Sequence, residues 1–326
     1  MHYAPAQLHI PDGFLNFFVS LVCWGLTALI LAVAISRTNK SLGERQIPLM
    51  GIMAAFIFAA QMINFPVAGG TSGHLLGGAL AAIMLGPWAA MLVMTAVIAV
   101  QGLLFQDGGL LVMGANILNM GILTVAIGYG LYRGVFGMSR SVKLAVAGFA
   151  AWLSVMAGAF ATAMELWLSG TSNLQTVTLA MLGVHAVIGL GEAFITVAAL
   201  TFIFQTRPDL LDEKSQAVQS GRGWVVAGLL IALAVILLSP MASVNPDGLN
   251  RVAMDLGFIH VAQSGAGPFA GYTVPFLENS SLGKIAAGVL GLLVVLALVW
   301  IAGRSLQKKT EPRDRSSSMA NPKSQI

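Results

Sequence analysis

Charge is what this sequence has least of. Aspartate, glutamate, lysine and arginine together make up 9% of the 326 residues, against about 25% in an ordinary soluble domain. Cysteine is scarcer still. Cys23 is the single one, so a disulfide framework is excluded and composition carries no trace of redox compartment. No Gly-x-x-x-x-Gly-Lys-Ser/Thr phosphate loop, His-Glu-x-x-His pair or Gly-x-Ser-x-Gly elbow occurs. What is present is apolar: 57% of residues are hydrophobic and the mean hydropathy is +0.83. A soluble globule of this length has too little polar surface to enclose them. A soluble enzyme, a nucleic-acid binder and a disordered chain are therefore excluded. The fold class expected is all-α, a polytopic bundle of membrane helices.

A membrane helix needs roughly 20 predominantly apolar residues. Candidate spans are 14–36, 48–65, 109–132, 144–168, 177–204, 224–238 and 285–303, with a longer apolar run at 75–105. That run contains Gly86-Pro87-Trp88, and proline inside a helix removes a donor and clashes with the preceding turn. The loop bases decide whether to divide it. Arg37, Lys40 and Arg45 mark one cytoplasmic loop; Arg133, Arg140 and Lys143 mark another. An even number of spans must separate them, which divides the run at Pro87 and leaves a short segment, 75–85.

The remaining bases keep this parity. Arg207, Lys214 and Arg222 mark a third cytoplasmic loop, and six bases follow residue 303, so fifteen of the 17 lie inside. About nine spans result, with the N-terminus outside and the C-terminus cytoplasmic. The net charge of +4 is thus an orientation signal, not a nucleic-acid footprint, and the tail bases face anionic lipid headgroups. The expected organisation is an external segment 1–13, a seven-span module 14–205, a cytoplasmic linker 206–223, and a two-span module 224–303 enclosing an external loop 239–283. A disordered tail follows at 304–326.

Five histidines occur, and His2, His9 and His74 fall near external ends. Histidine is the commonest metal-ligating side chain near neutral pH. His74 closes the glycine-rich stretch Gly69-Gly70-Thr71-Ser72-Gly73-His74, and irregular backbone at membrane depth is tolerated where it is buried or lines a cavity. The plainer reading is an interfacial histidine beside a turn. His9 precedes the turn signal Pro11-Asp12-Gly13. A histidine directly after a free α-amino group offers three nitrogens, namely the amine, its own amide and its imidazole. A second imidazole completes a planar set that suits Ni(II), Cu(II) or Co(II) better than zinc.

Elsewhere the spans hold few polar groups. Glu165 and Glu192 are intramembrane acids and so functional candidates by default, although internal pairing is the commoner fate. Glu192 follows His185 by two helical turns on one face. Asp107, in an external turn, either supports a site or solvates a loop. Gln101, Asn116 and Asn119 read as packing or supporting hydrogen bonds, and Met113 and Met120 as core fillers. His260 reads as a solvated loop residue.

These residues carry a resemblance. His9-Ile-Pro-Asp-Gly-Phe-Leu15, Gly70-Thr-Ser-Gly-His74-Leu-Leu-Gly-Gly-Ala-Leu80 and Gly86-Pro-Trp-Ala-Ala90 resemble the substrate-binding subunit of cobalt/nickel energy-coupling factor transporters, the CbiM/NikM type. Phe105-Gln-Asp-Gly-Gly109, Gly114-Ala-Asn-Ile-Leu-Asn-Met120 and His185-Ala-Val-Ile-Gly-Leu-Gly-Glu192 extend it through the seven-span module. Asn245-Pro-Asp-Gly-Leu249, Asp255-Leu-Gly-Phe258 and Tyr272-Thr-Val-Pro275 are similar to the family's small two-span partner, here fused.

The resemblance implies a multi-pass subunit of the bacterial cytoplasmic membrane that imports Ni²⁺ or Co²⁺ and is not itself an enzyme. Its implied partners are a transmembrane coupling subunit and two ATP-binding-cassette ATPase subunits, with no permanently bound cofactor. It makes His9 and His74 the metal ligands, with Ser72, Asp107 and Asn116 in support. Family members begin with Met-His, whereas here Met1–Gln7 precede Leu8-His9. Initiation at codon 8, removal of the extension, or a chelate made instead by Met1-His2 are the three explanations; the first is expected, because His9 alone carries the full motif. Two rivals remain: a proton-coupled secondary transporter using Glu165 or Glu192, and a membrane metalloenzyme with Asp12 or Asp107 as base.

Overall fold

The computed structural model describes residues 8–41, 43, 46–211, 223–263, 267–277 and 281–307. In chain order the elements are α1 (Phe17–Ser41), α2 (Gln46–Gln61), β1 (Phe65–Val67), β2 (Thr71–Gly73), α3 (Gly78–Leu85), α4 (Pro87–Val100), α5 (Met113–Asn116) and α6 (Thr124–Tyr132). They continue with α7 (Arg140–Leu168), α8 (Leu174–Thr206), α9 (Gly223–Leu238), α10 (Gly248–Asp255) and α11 (Ser281–Leu306). Strands β1 and β2 form one antiparallel hairpin, with Phe65 opposite Gly73. Wider π-helical turns extend α4 through Gln101–Phe105 and join α5 to α6 through Ile117–Leu123.

Seven helical stretches among the described residues are long and apolar enough to cross a membrane. The other two expected segments are present but shorter. α2 has 16 residues and ends before Phe65, because that residue pairs into the hairpin. α3 has only 8 residues, about 12 Å of helix, and the residues before it are extended. The division at Pro87 is borne out. Gly86 takes φ 74° and ψ 169°, and Pro87 opens α4, where its missing N–H costs nothing and its ring blocks continuation of α3.

Hydrogen bonds sort the connections into two ends. At one end Thr171 Oγ1 donates to the Phe14 carbonyl (2.5 Å), Phe269 N to that of Leu104 (2.9 Å), Ser243 N to that of Asn64 (2.8 Å) and Gln263 N to that of Asp12 (2.8 Å). At the other, Arg140 donates to the Thr201 carbonyl and Gly303 packs on Ile47. The stretch expected as an open external loop, 239–283, instead contains α10 and packs α10 against α8 and β2. Phe17, Phe18, Leu21 and Leu29 leave an apolar flank of α1 uncovered by protein, as a lipid-facing surface requires.

Small residues let the helices around α3 close up. A Cβ placed on Gly128 of α6 would stand 2.6 Å from Ala79 Cα, a backbone atom that cannot move aside. Gly128→Val should therefore destabilise the chain by about 1–3 kcal/mol through overpacking. Thermal unfolding in detergent reads this as a lowered Tm; an unchanged Tm would contradict the α3–α6 contact.

Candidate metal centre

Residues 8–15 are tied down before α1 begins. Asn116 grips Ile10 twice: its Oδ1 accepts from Ile10 N (3.0 Å) and its Nδ2 donates to the Ile10 carbonyl (3.1 Å). Asp12, expected as part of a turn, also accepts from the backbone N–H groups of Leu110, Leu111 and Val112 at 3.0–3.2 Å. These contacts commit its carboxylate to the backbone of residues 110–112. Between these anchors His9 is 2% exposed, and Leu8 N donates to Asp107 Oδ1 at 2.6 Å.

His74 lies between β2 and α3, 5% exposed. The turn that follows it is fixed from α8: Glu192 Oε2 accepts from Leu76 N (2.6 Å) and Oε1 from Gly77 N (2.8 Å). Gly77 takes φ +81°, a left-handed conformation that glycine adopts freely. The two acids thus hold backbone, one on each side of the histidine pair.

The two imidazoles face one another with ring centroids 5.7 Å apart. His9 Nδ1 donates to the Asp107 carbonyl (2.9 Å) and His74 Nδ1 to Asp247 Oδ1 (3.3 Å). A carbonyl or carboxylate oxygen only accepts, so each Nδ1 carries its hydrogen, and in the neutral ring Nε2 is the nitrogen with the free lone pair. Both Nε2 atoms are buried without a protein partner, and both rings line one cavity of about 60 Å³. With metal–nitrogen bonds of about 2.0 Å, two rings on one ion have centroids about 4.5 Å apart at right angles and about 6.3 Å apart when opposed. The observed separation lies between these limits.

Among the described residues, no group of three or more His, Cys, Asp or Glu side chains is placed to hold an ion. Further ligands at His9 and His74 must therefore come from backbone nitrogen, an amine or solvent. A chelate through His9's own amide uses Nδ1, which here faces Asp107; a half-turn of the ring is needed to present it. Burial lowers the pKa of His9, partly offset by the Asp107 charge, and so favours the neutral, metal-binding form. For His74, burial also acts downward, but the Asp247 hydrogen bond and charge bring it above the ordinary imidazole value; the same contact holds Asp247 below the usual carboxylate range despite its burial.

Other expected residues fall into place around this pair. Asn116, Asn119, Met120 and His185 line the cavity, so Met120 is more than a core filler in position. His185 Nδ1 donates to the Met181 carbonyl. Ser72 supports from behind: its N and Oγ donate to the carbonyls of Pro246 and Asn245. Glu165 lies deeper, accepting from Asn119 Nδ2 (2.8 Å) and from the Cys23 thiol (3.5 Å), and does not line the cavity. His260 is exposed. Met1 and His2 lie outside the described residues, as do most of the 206–223 linker and the tail beyond residue 307.

Sequence reasoning missed Asp247 and Tyr272, which reach the site from the second module. Tyr272 Oη donates to Asp107 Oδ2 at 2.6 Å, and burial together with the Asp107 charge pushes the phenol well above its ordinary range, so the hydroxyl keeps its hydrogen. The available signal was repetition: the tripeptide Pro-Asp-Gly at 11–13, beside His9, recurs at 246–248.

Residues 9–210 match the CbiM family, described as the cobalt uptake substrate-specific transmembrane region. The chain belongs to the CbiM family. Residues 222–308 match the PDGLE domain, so the CbiM region brings His9 and His74 and the PDGLE domain brings Asp247. A relative from Archaeoglobus fulgidus, "Putative fused nickel transport protein NikMN", is 35% identical over 89% of this chain and 96% of its own. The "Fused nickel transport protein NikMN" of Rhodobacter capsulatus is 26% identical over 89% of this chain and 95% of its own. A crystal structure of a truncated transition metal transporter shares 34% identity at a TM-score of 0.55, covering 60% of this chain and 98% of that one. This chain is accordingly a multi-pass membrane protein of a nickel and cobalt transport family.

Proposed function

We propose that this chain is the substrate-binding membrane subunit of an ATP-driven importer of the energy-coupling factor type, and that His9 and His74 capture its Ni²⁺ or Co²⁺. One observation carries the site: two buried imidazoles, each anchored through Nδ1, offer unpartnered Nε2 atoms to one small cavity. Neutral nitrogen donors in that number suit nickel and cobalt, with nickel ahead in raw affinity. The fused NikMN relatives carry nickel in their names, so nickel is the preferred substrate.

Energy comes from outside the chain, since its sequence holds no phosphate loop. A transmembrane coupling subunit and two ATPase subunits supply it. The proton-coupled alternative gains nothing from the geometry, because Glu165 and Glu192 are both occupied by fixed donors. Ni²⁺ uptake into proteoliposomes, with the coupling and ATPase subunits present or omitted, separates the two. Uptake only with the partners and ATP is expected; uptake by this chain alone under a proton gradient overturns the reading.

The chelate proposed for His9 uses a chain that begins at residue 8, which places an amine where Leu8 N meets Asp107. Intact mass of active protein tests this, and retention of residues 1–7 refutes it.

A further inference from the structure

We infer that Asp247 and Tyr272, both in the PDGLE domain, are positioning residues of the metal site: Asp247 holds the His74 ring in the orientation that binds the ion, and Tyr272, through Asp107, holds the Leu8–His9 segment beside it. This rests on the assignment of His9 and His74 as ligands.

Two separate contacts lead to the two rings. Asp247 is 4% exposed and meets His74 directly, Oδ1 to Nδ1 at 3.3 Å. A carboxylate behind a ligating imidazole fixes its tautomer and ring plane and raises its basicity as a donor. The approach is built: Ser72 and Asp247 bridge backbone to backbone, and Gly248 packs so closely on Ile188 and His185 that an added Cβ would stand 2.7 Å from Ile188. Asp247 also caps α10 by accepting from Leu249 N, so the carboxylate is oriented from its own side as well.

Tyr272 acts through Asp107. Its hydroxyl takes one carboxylate oxygen while Leu8 N takes the other, and the carbonyl of the same residue receives His9 Nδ1. The phenol ring is stacked on Phe105 at 4.8 Å and 15°. Among the described residues, Gln106 and Tyr272 are the two non-glycine positions with positive φ, +55° and +57°. Gln106 directly precedes Asp107, and Tyr272 is the other member of the contact. Such backbone is held only where the surroundings over-determine it.

The experiment uses the full-length chain in detergent, with Co²⁺ as the probe ion. Affinity is read by competition with a chelator and geometry by the ligand-field absorption bands. Asp247→Ala is expected to weaken binding 10–100-fold and to shift the bands. Asp247→Asn, which keeps an acceptor oxygen and nearly the same shape, is expected to restore most of both. Tyr272→Phe is expected to weaken binding several-fold, with an effect that disappears in an Asp107→Asn background.

Helical content and Tm are followed for every variant, and Asp247→Leu, which keeps a branched side chain but offers no acceptor, keeps the test open if Asp247→Ala misfolds. His74→Ala separates the two levels. If it binds Co²⁺ like the parent, the site assignment itself fails. If it loses the ion while Asp247→Ala and Tyr272→Phe retain parental affinity and bands, the ligands stand and the positioning inference is overturned. A lowered Tm with unshifted bands likewise overturns it.

Discussion

His74→Ala abolishes metal capture while the protein still inserts and folds. The substitution removes one of two buried nitrogen donors and leaves a small gap beside Asp247 after β2, where the backbone is held independently by Ser72 and by Glu192 on Leu76 and Gly77. Affinity for Ni²⁺ or Co²⁺ should fall at least about a hundredfold, or about 2.8 kcal/mol at 1.4 kcal/mol per decade. Equilibrium dialysis of the purified protein, followed by metal analysis, reads the loss directly. Circular dichroism should show unchanged helix. Undiminished binding would remove His74 from the ligand set.

Glu192→Ala acts by the opposite route: it touches no ligand and costs stability. The side chain is fully buried and its two oxygens serve two different backbone N–H groups, of Leu76 and Gly77. Hydrogen bonds to a charged group are worth about 1.5–3 kcal/mol each, and their loss strands two buried donors. A destabilisation of about 3–6 kcal/mol is expected, seen as a large drop in Tm. Glu192→Gln should fall between, since its amide oxygen satisfies one donor and its NH₂ opposes the other. Metal affinity should decline in both variants, because His74 is two residues upstream of the turn they loosen. An unaffected Tm would show that the turn is held by something else.

The sequence made some of this legible. Loop bases alone required a break in the run 75–105, and Gly86-Pro87 is where the chain breaks. His9 and His74 stood out through their motifs, and the structure brings their rings together across 65 residues of sequence. Glu192 and His185 share a face, as their spacing implies, and that face looks toward the histidine segment. Other features had no local signature. The π-helical turns depend on packing around them, not on residue type, and α3 is short because the preceding residues are spent in the hairpin and the extended run to His74.

Asp247 was hidden for a different reason. Its contact with His74 spans 173 residues and crosses from one module to another, while Pro246-Asp247-Gly248 by itself reads as a turn. Residues 239–283, rich in Pro, Gly, Ser and Asn, read as an external loop between two spans. Composition reports what a loop can tolerate, and here its described residues pack on α8, β2 and the residues before α1.

That covering has a kinetic consequence. With the imidazoles 2% and 5% exposed, exchange of an ion bound there is expected to be paced by opening of this cover and not by bond-making at the metal. Burial by itself should slow entry and escape alike, so any change in the equilibrium constant is expected from Asp247 and Tyr272 and not from the covering as such. Because α9 and α11 anchor the cover in the same chain as the site, it returns at an effective concentration fixed by its tether and independent of protein abundance. On the proposed function, residence time at this site is thus expected to be set by the linkage between the two modules.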